Sequence, residues 1–545
     1  QSTWGKLSEM DPQPGYPIID PTTFDLVVIG TGVSEAILSA AASAVGKTVL
    51  HLDPNPFYGS HTASFSLSDL SSFLQSPLAS PVSPEVSSEA ESSSHSSLKL
   101  EHRSILSDLE IQRFDTSAEL DRLSGKFLLD VCGPRVLLSA SEEIELLIRS
   151  GASNYVEFKS VEASFIFRNA ETEKLCKVPD SRASIFKDKG LSLTEKNQLM
   201  RFFKLVQSHL AATSSDDVGE GEKRRILEAD LESPFAEFLS KMKLPSNIQS
   251  MILYAIAMAD YDQEETLISK HLMKTKEGIA RLALYQASVG RFTYTLGAML
   301  YPIYGFGEIP QSFCRSSAVK GCVFVLRMPV RDLLLDKYDG CYRGITLASG
   351  QEIFSSQLIL DSSFIVPPQI SSPLNPEDEE KSGKRRVARG ICIIKSSLAE
   401  DASNLVIVFP PRSLFREQYA AVRALQVSSN LAVCPSNTFV LYLSTYCTKA
   451  EEGKVILKAA INVLLSTPQN SHSSKPLLLW SSIYLQDLTI TQFGSVSSIA
   501  TPDCSFTHHN VLKQTTTLFR SIYSGEEFFP KSVTKDSVND YDDLS

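Results

Sequence analysis

The sequence of 545 residues contains no run of about 18 apolar residues, and this absence argues against a transmembrane helix. Its first residues, Gln1 to Pro17, are polar and rich in proline, and they lack the apolar stretch of a secretory signal peptide. The nine cysteines are scattered, odd in number and never spaced as CxxC. We therefore expect no disulfide framework, and a reduced, cytosolic location fits this cysteine pattern best.

Basic residues are in the minority, with 52 Lys and Arg against 63 Asp and Glu and a net charge of −11. Because nucleic-acid binding needs a basic face that neutralises phosphates, we expect no nucleic-acid partner. The histidines show no metal-binding spacing, and the adjacent pair His508 and His509 is expected at the surface. The sequence also lacks a G-x-S-x-G nucleophile elbow and a G-x-x-x-x-G-K-[ST] phosphate loop, so nothing in it indicates a serine hydrolase or a P-loop nucleotidase.

What the sequence does contain is an ordinary globular composition, with 43% hydrophobic and 21% charged residues. Its length corresponds to about two to four domains. Near the N-terminus, an apolar run at Phe24 to Ile29, a helix-forming stretch at Val33 to Val45 and a second apolar run at Lys47 to Asp53 predict a strand, a helix and a parallel strand. This order predicts an α/β fold of the Rossmann-like, FAD- or NAD(P)-binding type.

The loop between the first strand and the helix is a variant of the dinucleotide-binding motif G-x-G-x-x-G. Gly30 and Gly32 occupy the first two glycine positions, and Glu35 replaces the third. The Glu35 carboxylate suits the positive end of its own helix, but it competes with a diphosphate for the same N–H groups. Asp53 stands where an acidic residue would bind a ribose, or it only caps a turn. From the loop alone two alternatives stay open: a flavin or nicotinamide enzyme with a variant loop, and a descendant fold that no longer holds the cofactor.

Changes in composition along the chain predict its domain organisation. Residues 75–97 are rich in Ser, Pro and Glu and cannot bury enough apolar surface to offset the entropy of ordering, which predicts a disordered insertion. Apolar residues at spacings of three and four indicate helices in the middle of the chain, and β-type patterns follow. The predicted units are a flexible N-terminal segment at 1–23, a discontinuous α/β domain with mixed sheets at 24–180 and 289–530, an all-helical domain at 181–288 inserted into it, and an acidic tail at 531–545.

Three segments together resemble the superfamily of Rab GDP-dissociation inhibitors and Rab escort proteins. The first contains the glycine loop with Glu35 and continues as H-x-D-x-N-x-x-Y-G over residues 51–59. The second is Gly290-Arg291-Phe292 with the long run of residues 301–321, which includes G-E-x-P-x-x-x-x-R. The third, residues 525–530 after a predicted helix at 510–523, resembles the escort proteins more than the inhibitors. The Ser-rich insertion and the acidic tail also favour the escort branch.

The resemblance implies a protein that performs no covalent chemistry and holds no cofactor. An escort-type member binds a newly made Rab GTPase in its GDP form on its α/β domain. It presents the Rab to the α/β heterodimer of Rab geranylgeranyltransferase, shelters the geranylgeranyl lipid of the product and delivers that product through transient membrane contact. The alternatives are a recycling GDP-dissociation inhibitor of the same fold and a flavin-dependent oxidoreductase.

The resemblance also implies candidate site residues. Tyr58, Glu308, Arg315 and Val325 match the Rab-binding platform of the family, and Met251 matches a bulky apolar residue that contacts the transferase. A guanidinium such as that of Arg315 can hold a carboxylate through two parallel hydrogen bonds, and tyrosine is a common interface anchor. The alternatives are an internal pair between Glu308 and Arg315, and core positions for Tyr58 and Met251.

Sheltering a lipid requires an apolar groove, which the resemblance places in the helical domain. Burial contributes about 0.8 kcal/mol per methylene, so even a partly sheltered chain would bind strongly. Leu199, Phe202 and Leu205 share one face of a predicted helix over residues 194–211. They line such a groove or pack the helical core, and for each of them the core position is favoured.

Overall fold

The computed structural model describes residues 15–75, 95–115, 118–171, 173–179, 185, 191–214, 225–264, 272–293, 295, 297–370, 385–468 and 475–530. Within these ranges no helix combines the length and the apolar character that crossing a bilayer requires. All nine cysteines are free thiols. Most of the predicted N-terminal segment, the middle of the predicted Ser-rich insertion and the predicted acidic tail lie outside the described residues.

Over the described residues the chain forms 23 strands and 12 α-helices. The strands are β1 Thr23–Ile29, β2 Val49–Asp53, β3 Ser64–Phe65, β4 His95–Lys99, β5 Glu101–His102, β6 Leu106–Arg113, β7 Leu129–Asp130, β8 Leu137–Leu138, β9 Phe158–Ser160, β10 Ala163–Phe167, β11 Leu175–Lys177, β12 Met299–Pro302, β13 Val323–Leu326, β14 Val330–Asp336, β15 Tyr342–Leu347, β16 Glu352–Leu360, β17 Phe364–Ile365, β18 Arg386–Ile394, β19 Leu405–Phe409, β20 Val422–Ser428, β21 Phe439–Cys447, β22 Leu478–Asp487 and β23 Val496–Ser498.

The helices follow in the same order of the chain. They are α1 Val33–Ala44, α2 Leu67–Gln75, α3 Glu119–Leu123, α4 Glu142–Ser150, α5 Leu193–Ser214, α6 Glu228–Glu232, α7 Phe235–Lys241, α8 Ser246–Ser250, α9 Thr275–Ser288, α10 Glu308–Val319, α11 Ala450–Leu464 and α12 His509–Ile522. A π-helical turn, Met251–Ile256, continues directly from α8.

The first large sheet has the strand order β13-β2-β1-β16-β15-β14-β4, and β23 pairs with β16. Strands β13, β2, β1 and β16 run parallel, whereas β14, β15 and β4 add an antiparallel half. The predicted strand, helix and parallel strand are confirmed as β1, α1 and β2. Side chains of β1 pack on both faces of the sheet, which explains why the strand reads as a continuous apolar run.

The second large sheet has the order β11-β10-β19-β20-β21-β18-β22-β6 and is antiparallel except where β10 pairs with β19. Helix α11 covers one face through Ile456 and Leu457. Side chains such as Ile391 and Tyr442 belong to the large cluster that also contains α1. The sheets therefore confirm the predicted α/β class with mixed sheets.

The described residues between α5 and α9 are helical, and their buried side chains join the large hydrophobic cluster. Leu199 and Phe202 are buried in that cluster and Leu205 packs against it, so the favoured core positions are confirmed. Within this region, α8 continues into the π-helical turn without a break.

Two segments expected to be flexible are more ordered at their ends than the sequence suggests. Ile19 is buried, and its backbone N–H and C=O bond the side-chain amide of Gln351 at 3.0 and 2.7 Å, so the predicted flexible segment 1–23 is fixed at its end. Within the predicted insertion 75–97, Gln75 ends α2 and residues 95–97 pair with β14. Composition misses both features because the partners come from more than 230 residues away in the chain.

Candidate functional site

The glycine loop lies at the carboxyl end of β1, and carboxylates fill the space beside it. Gly30 has a φ of +97°, and a Cβ atom there would lie 2.6 Å from the Cβ of Asp361. A Cβ atom at Gly32 would lie 2.6 Å from Oε2 of Glu35. Gly30 is thus required by its left-handed backbone and by the Asp361 side chain, whereas at Gly32 the flexible Glu35 carboxyl occupies the space beside the backbone.

The side chain of Glu35 is buried, and its environment favours the neutral acid. Burial raises the pKa of Glu35 well above its ordinary value, and the carboxylates of Asp361 and Asp53 raise it further. A neutral carboxylic acid beside the carboxylate of Asp361 removes one of the two like charges that the loop would otherwise hold. Burial and the neighbouring carboxylates therefore favour the protonated form of Glu35 in the space beside the glycine loop.

Asp53 is committed to internal hydrogen bonds. Its Oδ2 accepts from Oγ1 of Thr31 at 2.6 Å and from Oγ of Ser60 at 3.2 Å. Its Oδ1 accepts from the backbone N–H and the side-chain amide of Asn55, at 2.8 and 2.9 Å. Burial raises the pKa of Asp53 to about 6. With both oxygens engaged, Asp53 organises the loop and has no capacity left for a ribose hydroxyl.

In the described part of the chain, the cavities lined by the glycine loop are too small for a dinucleotide, and a larger one of about 210 Å³ beside His61 and Phe73 does not include the loop. One cavity of about 20 Å³ lies between Glu35, Asp361 and His508, and another of about 10 Å³ lies between Asp53, His61 and Asp361. Each has room for about one water molecule, whereas sites for small-molecule ligands measure roughly 300–1,000 Å³. Gly30, Gly32, Glu35 and Asp53 therefore do not fit a bound flavin or nicotinamide.

Hydrogen bonds around the filled glycine loop position the segment that carries Tyr58. The backbone N–H of Gly59 donates to Oγ1 of Thr31 at 2.9 Å, and the backbone N–H of Thr31 donates to Oγ of Ser60 at 3.1 Å. Asp53 bonds both hydroxyls, so the loop after β1 and the loop after β2 form one hydrogen-bonded unit. These hydrogen bonds fix the backbone of the chain at Tyr58.

The raised pKa of Glu35 makes the stability of the folded state depend on pH. Because its folded-state pKa lies above its ordinary value of 4.5, the native state binds more protons and loses stability as the pH rises from about 4.5 through the folded-state pKa. We expect the neutral, isosteric Glu35→Gln variant to lose less Tm than the wild type between pH 5 and pH 8. Thermal unfolding at both pH values measures this, with the exposed Glu417→Gln as the control. Equal losses in Glu35→Gln and wild type would contradict the assignment.

Helix α10 is the second element of the site, and a buried carboxylate fixes its entry. The backbone N–H of Phe306 donates to Oδ1 of Asp130 at 3.0 Å, and the backbone N–H of Gly307 donates to Oγ of Ser64 at 3.0 Å. Ser64 also donates to Asp130 at 2.6 Å, and Tyr301 donates to the other Asp130 oxygen. Sequence reasoning missed Asp130 and Ser64; the only local signal is the pair of glycines before Glu308, which lets these side chains approach the backbone.

Arg315 and Glu308 lie on the accessible side of α10 and are not paired with each other. The Arg315 side chain is exposed, and among the described residues no carboxylate lies within ion-pair distance of it. Glu308, at the first position of the helix, is half-buried and accepts a hydrogen bond from the Gln311 amide at 3.2 Å. Burial raises the pKa of Glu308, and the charge of Arg315 opposes that shift. The internal ion pair considered above does not form, which leaves the Arg315 guanidinium available to a partner.

Tyr58 lies beside these two residues, whereas Val325 faces away from them. The half-buried Tyr58 ring packs edge-on to Phe324 of β13, with 6.2 Å between ring centroids, and burial raises its pKa while Arg315 lowers it. Val325, the next residue of the strand, packs on the cluster of the opposite sheet face, as the alternation of a strand requires. The structure thus brings together Tyr58, Glu308 and Arg315, and it places Val325 on the far side of the edge strand.

Met251 is only 5% exposed and packs in the large hydrophobic cluster, which agrees with the core alternative, and its transferase contact stays a prediction. The whole π-helical turn is buried, and one sequence cannot distinguish a buried apolar helix from one that offers a contact residue. The expected surface position of His508 differs from the structure. His508 is buried against Phe306, and burial lowers its pKa well below the ordinary value, whereas a surface position was expected; His509 is exposed.

Comparisons with known proteins agree with this geometry. A family model described as GDP dissociation inhibitor matches residues 20–84 and 104–474. Rab escort protein 1 of Arabidopsis thaliana is 49% identical over 97% of this chain and 98% of its own length. Rab proteins geranylgeranyltransferase component A of Drosophila melanogaster is 30% identical over 78% of this chain and 74% of its own. The crystal structure of Rab GDI from Plasmodium falciparum superposes with a TM-score of 0.67 at 18% identity, over 93% of this chain and 99% of that one, which supports the fold.

The strand, helix and parallel strand around the filled glycine loop define a dinucleotide-binding type of architecture, and the chain belongs to the GDP dissociation inhibitor family. Within that family it is a homologue of the Arabidopsis Rab escort protein 1 along nearly the whole length of both chains. The resemblance inferred from the sequence is confirmed.

Proposed function

We propose that this chain is a Rab escort protein: a non-catalytic component that binds Rab GTPases in their GDP form and presents them to the heterodimer of Rab geranylgeranyltransferase. The protein then keeps the geranylgeranylated Rab in solution in the cytosol and releases it during transient membrane contact. The names of its relatives support the Rab and transferase partners. Because side chains fill the glycine loop and leave only small cavities there, a binding role is better supported than oxidoreductase chemistry.

One observation links the proposal to particular residues. Arg315 is an exposed cation without an internal partner, and it projects from a helix whose entry is fixed by Asp130. It lies with Tyr58 and Glu308 at one edge of the parallel sheet. An unpaired guanidinium on a rigid helix can take a carboxylate of a folded partner at little cost in conformational entropy. We assign these three residues to the Rab-docking surface.

A recycling GDP-dissociation inhibitor is the second candidate, and the matched family model and the superposed Rab GDI structure favour it. Such an inhibitor would bind a prenylated Rab, but it would not support prenylation of an unmodified one. The identity of 49% along nearly the whole chain to an escort protein makes the escort role the better supported.

A reconstituted prenylation assay tests the proposal. Unprenylated GDP-bound Rab, the transferase heterodimer and labelled geranylgeranyl diphosphate are combined with and without this chain. We expect label to enter the Rab only when the chain is present, because the Rab must be held in the complex for transfer. The reaction without the chain is the control. The Arg315→Glu variant should reduce the rate of label transfer to the Rab.

The same assay separates the alternatives. A chain that binds prenylated Rab but leaves the unmodified Rab unlabelled would be a recycling inhibitor. A purified protein with the visible absorption of a flavin would contradict both binding roles.

A further inference from the structure

Arg327 has an unfavourable backbone conformation at the end of the edge strand β13. Its φ of +57° lies in the left-handed region, which residues with a long side chain adopt at a cost. Its backbone N–H donates to the carbonyl of Asn55 at 3.1 Å, and the next N–H, of Met328, donates to the carbonyl of Asp53 at 3.1 Å. The loop after β2 therefore holds Arg327 in this conformation.

A second arginine provides a comparison inside the same molecule. Arg412 also has a left-handed backbone, with a φ of +61°, but its Nε lies 2.8 Å from Oδ2 of the buried Asp262. Its cation therefore has an internal partner that accounts for a charged residue at that position. The Arg327 side chain is exposed, and across the described ranges no carboxylate lies within ion-pair distance of it. Among the residues that the structure describes, none neutralises the charge of Arg327.

The position of Arg327 in the fold suggests which partner contacts its charged side chain. The loop that bonds its backbone continues within three residues to Tyr58, and Phe324 of the same strand packs against the Tyr58 ring. Arg315 reaches the neighbourhood of Tyr58 from helix α10, since its charge acts on the Tyr58 hydroxyl. Arg315 thus acts on Tyr58, and Arg327 ends the strand that packs against Tyr58 and is bonded through its backbone to the loop that leads to it, on a protein whose net charge is −11.

We infer that Arg327 is a second cationic contact of the docking surface and binds a carboxylate of the GTPase. The inference rests on the proposed function and deepens it, because it gives the partner surface a chemistry: at least two acidic side chains on either side of the position that meets Tyr58. A positive local field on an acidic protein also steers an acidic patch toward this edge of the sheet.

The test combines binding and stability in the full-length chain. The dissociation constant for an unprenylated, GDP-bound Rab is measured at low and moderate salt for Arg327→Gly, Arg327→Glu and Arg327→Lys, and the Tm of each variant is measured in parallel. Arg412→Gly is the matched control, since it removes a left-handed arginine that has an internal partner. Arg315→Ala is included as the reference for the proposed function.

We expect Arg327→Gly to bind about tenfold more weakly, Arg327→Glu more weakly still, and Arg327→Lys to retain most of the affinity. The Tm of Arg327→Gly should equal or exceed that of the wild type, because glycine relieves the left-handed backbone. Arg412→Gly should leave the dissociation constant unchanged.

Other outcomes separate the two hypotheses. Wild-type affinity of Arg327→Gly and Arg327→Glu, with weaker binding of Arg315→Ala, would overturn the role of Arg327 alone. A lower Tm of Arg327→Gly would also overturn it, because the side chain would then have an internal structural role. Wild-type affinity of Arg315→Ala would instead contradict the proposed docking surface.

Discussion

Replacing Arg389 with Met is expected to lower the free energy of unfolding by about 3–5 kcal/mol, because it removes the donors of a buried hydrogen-bond network. Arg389 lies in β18 and is 1% exposed. Its Nη1 donates to the carbonyls of Cys132 and Gly133 at 3.0 and 2.9 Å, its Nη2 donates to the carbonyl of Asp503 at 2.9 Å, and its Nε donates to Oε1 of Gln486 at 2.6 Å. The guanidinium thus joins three segments that are far apart in the chain.

Denaturant unfolding of Arg389→Met measures this loss. The matched control is Arg386→Met on the same strand, where the arginine is partly exposed and its Nε lies 2.8 Å from Oδ1 of Asp487. Such an exposed pair contributes at most about 1 kcal/mol. A similar small effect for both variants would mean that the carbonyls around Arg389 find other partners, and the network would then not hold these segments together.

Replacing Arg315 with Ala is expected to weaken Rab binding by about 1–3 kcal/mol, which corresponds to roughly fivefold to 150-fold in the dissociation constant. The reason is that the guanidinium has no internal partner, so its full hydrogen-bonding capacity is available to the GTPase. For the same reason the fold should tolerate the change, and the Tm should stay close to that of the wild type. Titration of a labelled, GDP-bound Rab with the purified variant measures the loss.

The control for Arg315→Ala is Arg201→Ala, which removes an exposed arginine from helix α5, away from the docking surface. It should bind Rab like the wild type. Binding of Arg315→Ala that is also unchanged, in a protein with native Tm, would remove Arg315 from the docking surface and would leave the family membership untouched.

Elements that bury continuous or regularly spaced apolar side chains agreed with their sequence patterns. The strand β1, the helix α1 and the strand β2 lie within two residues of the ranges predicted for them. Strands β4 and β6 were not predicted, because their residues are largely polar and partly exposed and they form by pairing with β14 and β22. Local pattern cannot reveal a strand whose stability comes from a distant partner.

In the candidate site, too, some residues are recognisable from the sequence and others are not. The residues Tyr58, Glu308 and Arg315 stand in recognisable motifs, and the structure brings them to one surface. The side chains that hold that surface in place, Asp130 and Ser64, lie far from the motif in sequence and carry no pattern of their own. The left-handed conformation of Arg327 is likewise invisible in the sequence, because it arises from hydrogen bonds with the loop after β2.

By itself, the order of residues determined that the chain begins with a dinucleotide-type strand and helix, that an acidic side chain replaces the third glycine, and that the chain carries the motifs of its family. Only the tertiary structure decided that Glu35 and Asp361 fill the phosphate position, that Arg315 has no internal partner, and that Met251 is buried. The physical reason is that secondary structure follows local spacing of apolar residues, whereas burial, ionisation and pairing depend on which distant side chains meet.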